Sequence, residues 1–128
     1  MRTNAGNDMV AAQIAGAGGT NTAKYMAVTA NSGAPAAGDT TLAGEITTAG
    51  GGLVRAVAAY AHTPGSSQFT LTKTFTANGS DALPVTLAKI GVLDAASGGN
   101  LVWETLLNAT ATLSAVGDNV AITETVTY

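Results

Sequence analysis

Cysteine is missing from this 128-residue chain, and histidine occurs once. No disulfide framework and no thiolate metal site can form. Charge is scarce as well: charged residues make up 10% of the chain, well under the ~25% of an ordinary soluble protein. The five basic residues, Arg2, Lys24, Arg55, Lys73 and Lys89, stand singly, and the net charge is −3. With no basic patch, nucleic-acid binding is not expected. No apolar stretch approaches the ~18 residues of a membrane span, so no membrane partner is expected. The first residues, Arg2-Thr3-Asn4, do not read as a signal peptide. The hydrophobic content of 46% with so little charge argues against disorder.

What is abundant is small. Ala, Gly and Thr supply about half the chain, against one Trp, two Phe, three Tyr and three Met. Burial stabilises by roughly 25 cal/mol per Å² of apolar surface, so a core of Ala and Val gains less per residue than one of Leu and Phe. A thin core with a weakly charged surface predicts burial against other subunits.

The clearest local signal is Asp94-Ala95-Ala96-Ser97-Gly98-Gly99, set between the apolar runs Ile90–Leu93 and Leu101–Trp103. It predicts a β-hairpin. Alternation is cleanest at Phe69, Leu71, Lys73 and Phe75 against Thr70, Thr72, Thr74 and Thr76. It returns in Val120, Ile122, Glu124, Val126 and Tyr128 against Ala121, Thr123, Thr125 and Thr127. Period two is strand spacing. Further strands are expected over Lys24–Thr29, over Leu53–His62 as a single run of ten residues, over Val85–Leu93 and over Leu101–Leu107. Asn108–Asp118 reads mostly as loop, with a short strand at Ala111–Leu113. Asn7-Asp8 can cap a helix over Met9–Ala15, ended by Gly16, Gly18 and Gly19, and Asp39 can cap one helical turn over Thr40–Glu45. The chain therefore reads as all-β. The expectation is an antiparallel sandwich or barrel of about six or seven strands with a short N-terminal helix. Residues 1–19 form an N-terminal arm and helix, and residues 20–128 form a single β domain.

No catalytic constellation is visible. His62 has no partner near it in sequence and reads as a polar strand-end residue. Asp8, Asp39, Asp81, Asp94 and Asp118 sit where caps and turns use carboxylates. Gly16–Thr20 and Gly50–Gly52 lack the lysine and the strand-to-helix setting of a phosphate loop, and read as flexible connectors. No metal and no cofactor is called for. Glu104, Glu124 and Lys73 are more informative, because each interrupts an apolar alternation. Buried charges are rarely left unpaired. Lys73 is therefore expected to pair with one of the two glutamates, within the sheet or across subunits; otherwise all three reach water from strand ends. Trp103 reads as core or interface, with stacking on a sugar or base as the alternative. Trp103 and Tyr128 join the three charged residues as candidate interface positions.

Two blocks carry a resemblance. One runs through Tyr25-Met26-Ala27-Val28, Ala34-Pro35-Ala36-Ala37-Gly38-Asp39-Thr40-Thr41-Leu42 and Gly52-Leu53-Val54-Arg55-Ala56. The other is Ala88-Lys89-Ile90-Gly91-Val92-Leu93-Asp94-Ala95-Ala96-Ser97-Gly98-Gly99 with the Thr-rich terminal strand. Together they resemble the small virion structural proteins of tailed bacteriophages: head decoration (cement) proteins, minor capsid proteins and tail-fibre-type proteins. The resemblance implies a non-enzymatic protein, made in the bacterial host cytoplasm, that sits on the capsid surface. It implies a homo-oligomer, commonly a trimer, bound to the major capsid protein, with the N-terminal arm ordering on the capsid or staying disordered. A tail-fibre, tail-tip or baseplate component is the second reading. A carbohydrate-binding β-sandwich is the third, favoured if Trp103 is exposed beside Tyr60.

Overall fold

In the computed structural model, which describes residues 1–15 and 22–128, the period-two segments assemble into two antiparallel sheets. The elements are α1 (Asn4–Ala15), β1 (Tyr25–Thr29), β2 (Ala56–Val57), β3 (Ala59–His62), β4 (Gln68–Thr76), β5 (Val85–Leu93), β6 (Leu101–Leu113) and β7 (Asn119–Thr127). The larger sheet has the order β2-β1-β5-β6 and the smaller β3-β4-β7. They stack as a sandwich and do not close into a barrel.

Strand register explains where the core lies. Met26 opposes Val92 and Val28 opposes Ile90, so these four share the inner side of the large sheet. They meet Leu71, Phe75 and Ile122 of the small sheet, with Leu53, Leu87 and Leu113 closing the layer. The alternate residues of β1 and β5 face outward, yet Ala27 and Leu93 are buried too. Leu42, from the long β1–β2 connection, packs on them together with Leu101. Strand β5 is thus covered on both sides, which is why Ala88–Leu93 is continuously apolar but for Lys89.

The expected hairpin joins β5 to β6. Asp94 shapes its tip: its carboxylate accepts from the Asn100 backbone N–H at 2.6 Å and from Asn100 Nδ2 at 3.0 Å. Gly98 and Gly99 take positive φ there.

Four local expectations are corrected. The helix begins at Asn4, more than a turn before Met9, because Thr3 supplies the cap in place of Asn7-Asp8. The Thr3 hydroxyl accepts from the Gly6 N–H at 3.1 Å and donates to the Leu101 carbonyl. The glycines expected to end the helix, and the whole connector Gly16–Thr20, lie outside the described residues. Leu53–His62 is not one strand. Its chain passes from the large sheet (β2) to the small one (β3) at Ala58, which is buried and donates to the Lys24 carbonyl at 2.8 Å. Thr40–Glu45 forms turns, with Glu45 bridged to Thr29, and the Asp39 carboxylate accepts from Ala36 N–H at 3.0 Å. Finally, β6 continues through Asn108–Leu113, because a bulge opposite Ala88 lets Ala111, Thr112 and Leu113 re-pair with Leu87, Thr86 and Val85.

The N-terminal segment is docked. Thr3 N–H donates to the Val102 carbonyl and Glu104 N–H to the Met1 carbonyl, both at 3.0 Å. Residues 1–3 therefore lie along the edge of β6.

Gly51 and Gly52 are not slack. A Cβ on Gly52 would overlap the Thr76 carbonyl, and one on Gly51 would overlap the Asp81 carboxylate. Asp81 Oδ2 accepts from Gly52 N–H at 2.9 Å and from Asn78 N–H at 2.8 Å, so the triple glycine is a close-packed turn.

Candidate functional site

The charged candidates separate onto different sides of the sandwich. Glu104 opposes Gly91, so its side chain lies on the outer side of the large sheet. Lys73 lies on the inner side of the small sheet, on the Phe69/Leu71/Phe75 face. A whole sheet separates these two, whereas Lys73 and Glu124 share the inner face of the small sheet one register step apart; neither glutamate forms an ion pair with Lys73 among the described residues. The partner of Glu104 is Lys89, with Nζ–Oε1 2.7 Å and both residues 2% exposed or less. Lys89 Nζ also donates to the Gly33 carbonyl at 3.1 Å. Lys73 Nζ instead lies 5.8 Å from the Phe75 ring centroid. Glu124 does face inward, and accepts from the Thr105 hydroxyl across the sheets at 2.9 Å.

Burial pushes the Glu104 carboxyl above its ordinary value, against the pull of Lys89. Its Oε2 is buried without a hydrogen-bond partner, and the Asp39 carboxyl is its acidic neighbour. The Glu104 carboxyl, followed by the Ala36 N–H, holds Asp39 below the usual carboxylate value. Lys89 and Asp39 were the members of this cluster missed in sequence. Lys89 offered a signal, as the one charge inside the apolar run of β5.

Arg55 was also missed. Its Nε and Nη2 grip both oxygens of Glu45 at 3.0 and 2.7 Å, and Nη1 donates to the carbonyls of Ala95 and Gly98 at 3.0 and 2.8 Å. It fastens the β5–β6 hairpin tip to the β1–β2 connection.

Two exposed surfaces remain, both on the small sheet. Its outer side carries Thr70, Thr72, Thr74 and Thr76 of β4, in register with Thr125, Thr123, Ala121 and Asn119 of β7. Ala61 and Ala59 of β3 continue the rows opposite Thr70 and Thr72. No charged side chain stands on this face, and the Thr72 and Thr123 hydroxyls are hydrogen-bonded at 3.3 Å. Strand β7 is an edge of its sheet.

The inner side of the same sheet runs past its cover at one end. Tyr60 opposes Leu71 and His62 opposes Phe69, so both point to the core side, yet both are exposed. Phe69 bridges this end, with ring centroids 5.7 Å from Tyr60, 6.2 Å from Tyr128 and 6.1 Å from Trp103. Trp103 is half-buried and meets Phe69 edge-on; Tyr128 is exposed. The structure thus brings Trp103 and Tyr128 together and leaves Lys73, Glu104 and Glu124 apart from them.

Among the described residues no group of three His, Cys, Asp or Glu is placed to hold a metal ion. No helix among them is long and apolar enough to cross a membrane. Two shallow hollows occur, about 340 Å³ beside Ile46, Leu53 and Asp81, and about 230 Å³ between β6 and β7. The second hollow holds the hydrogen-bonded Thr105 and Glu124 side chains. No protein-family model matches the chain, and no curated protein matches it.

Proposed function

We propose that this chain is a structural protein of a tailed-bacteriophage virion, a decoration (cement) protein that binds the major capsid protein on the outside of the head as a homo-oligomer. The observation that carries the reading is the outer side of the small sheet: a flat, regular array of Thr and Ala without a single charge, bordered by the open edge of β7. A surface meant for water alone would carry charges, and exposed edges are usually blunted by them. β-Branched threonine holds the strands without burial and offers both a methyl and a hydroxyl to a flat partner. Many weak copies on one lattice then give tight attachment.

Co-sedimentation of the purified protein with undecorated heads tests the reading. Saturable attachment at hundreds of copies per particle is expected. Thr74→Lys is expected to abolish attachment with little change in melting temperature, because the site is exposed and stands opposite Ala121. A monodisperse monomer that never attaches to heads overturns the reading, and a few copies confined to the tail replaces it with a tail component.

A further inference from the structure

We propose that the open end of the sandwich, where Tyr60, His62, Phe69 and Tyr128 face Trp103, is a stacking platform for an uncharged oligosaccharide. The proposal does not rest on the capsid reading. The platform lies on the opposite side of the small sheet from the threonine array, and stays open when that array is covered.

The rings form one connected surface. Interplanar angles are 25° for Tyr60–His62, 36° for His62–Tyr128, 37° for Phe69–Tyr128 and 43° for Tyr60–Phe69. These four rings are inclined gently to one another. Trp103 stands at 78° to Phe69 and walls the platform on the side of the large sheet. Four of the chain's six aromatic residues and its one histidine are gathered at this end. Tyr60 and Tyr128 are 65% and 63% exposed, although side chains on this face of the sheet are elsewhere its core.

The rings are held before any ligand arrives. His62 Nδ1 lies 2.8 Å from the Gln68 carbonyl, which can only accept. Nδ1 therefore carries the hydrogen, and Nε2 is the ring nitrogen left for a ligand hydroxyl. Tyr128 is tied by its backbone N–H to the Ser67 carbonyl at 2.9 Å and by its hydroxyl to the Ser66 carbonyl at 3.3 Å. Pre-ordered rings lose little entropy on binding.

Charge and area select the ligand. None of the five side chains is a carboxylate, ammonium or guanidinium. A nucleic acid would bring phosphates with nothing to neutralise them, and an acidic glycan would do the same. A neutral pyranose presents an apolar C–H face to a ring and hydroxyls at its rim, which suit the Tyr60 phenol and His62 Nε2. An exposed tyrosine offers on the order of 150 Å², so the platform offers roughly 400 Å². A stable protein interface needs about 800 Å² per partner. The platform is too small for a protein dimer and large enough for a short sugar chain.

The test titrates the intact chain with three neutral hexasaccharides, β1,4-linked glucose, β1,4-linked N-acetylglucosamine and α1,4-linked glucose, reading Trp103 fluorescence and amide NMR shifts. Saturable binding of at least one is expected, with shifts centred on residues 60–69 and 126–128. Tyr60→Ala and Tyr128→Ala are each expected to weaken it at least tenfold, while Tyr60→Trp preserves it and the melting temperature hardly moves. Three silent titrations overturn the proposal, as does binding that both alanine variants leave intact. A rise of mass with concentration that Tyr60→Ala abolishes also overturns it, by giving the platform to a second copy of the chain.

Discussion

Lys89 Nζ and Glu104 Oε1 meet 2.7 Å apart on the outer side of the large sheet, under a connection that Lys89 itself pins through the Gly33 carbonyl. Removing one member of such a pair leaves a bare charge in the interior, which costs about 3–5 kcal/mol. Lys89→Met is therefore strongly destabilising at neutral pH. The pH dependence identifies the cause. Burial already raises the Glu104 carboxyl above 4.5, and loss of the cation raises it further. A raised carboxyl binds its proton more tightly folded than unfolded, so stability grows as pH falls through the folded value toward 4.5. Melting curves of the variant should rise in temperature as the pH is lowered from neutrality toward 4.5. A parallel fall in variant and parent would rule out Glu104 as the origin.

Asp118 has the opposite sign. The backbone N–H groups of Ala115 and Ser114 hold its carboxyl below 3.8. Its stabilisation is present above 3.8 and is lost as pH falls through the lower folded value. Asp118→Asn should lower the melting temperature at neutral pH and flatten its decline below about pH 4. The comparison is a pair of acid-limb melting series.

Arg55→Lys separates shape from charge. A lysine can pair with Glu45 but cannot also reach the carbonyls of Ala95 and Gly98. Loss of about 1–3 kcal/mol is expected, with faster amide exchange concentrated at residues 94–100. Exchange that speeds up evenly over the whole chain would contradict the stapling role.

Gly52→Ala tests the close approach of two backbones. The added methyl has to displace the Thr76 carbonyl, so a loss of about 3 kcal/mol or more is expected by chemical denaturation. Gly65→Ala is the control: its φ of +84° is unfavourable but the space around it is open, and about 1–2 kcal/mol is expected. Equal losses would mean that crowding at Gly52 is unimportant.

The strands that carry one polar face, β4 and β7, were legible because alternation is a direct record of a half-buried sheet. Leu53–His62 misled because period two does not reveal when a strand changes partners; Ala58 is buried in either arrangement. Residues 108–110 read as loop because their bulge breaks the alternation without ending the ladder. The inward turn of Lys73 and Glu124 was legible for the same reason that β4 and β7 were. The identity of the partner of Glu104 was not: which face of which sheet a charge occupies depends on strand order, and strand order leaves no mark in local spacing. The aromatic end was legible only in part: Trp103, Tyr60 and Tyr128 were singled out, but Phe69 and His62 between them were not, since these residues come from four separate strands or their ends.

The passage of one short backbone run through Ala58 has a mechanical consequence. Residues 56–62 belong to both hydrogen-bonded ladders, so sliding one layer over the other strains a covalent strut before it tears any interface. A load applied along the threonine-bearing layer is handed to its thicker neighbour through that strut, and the protein resists shear as a single plate.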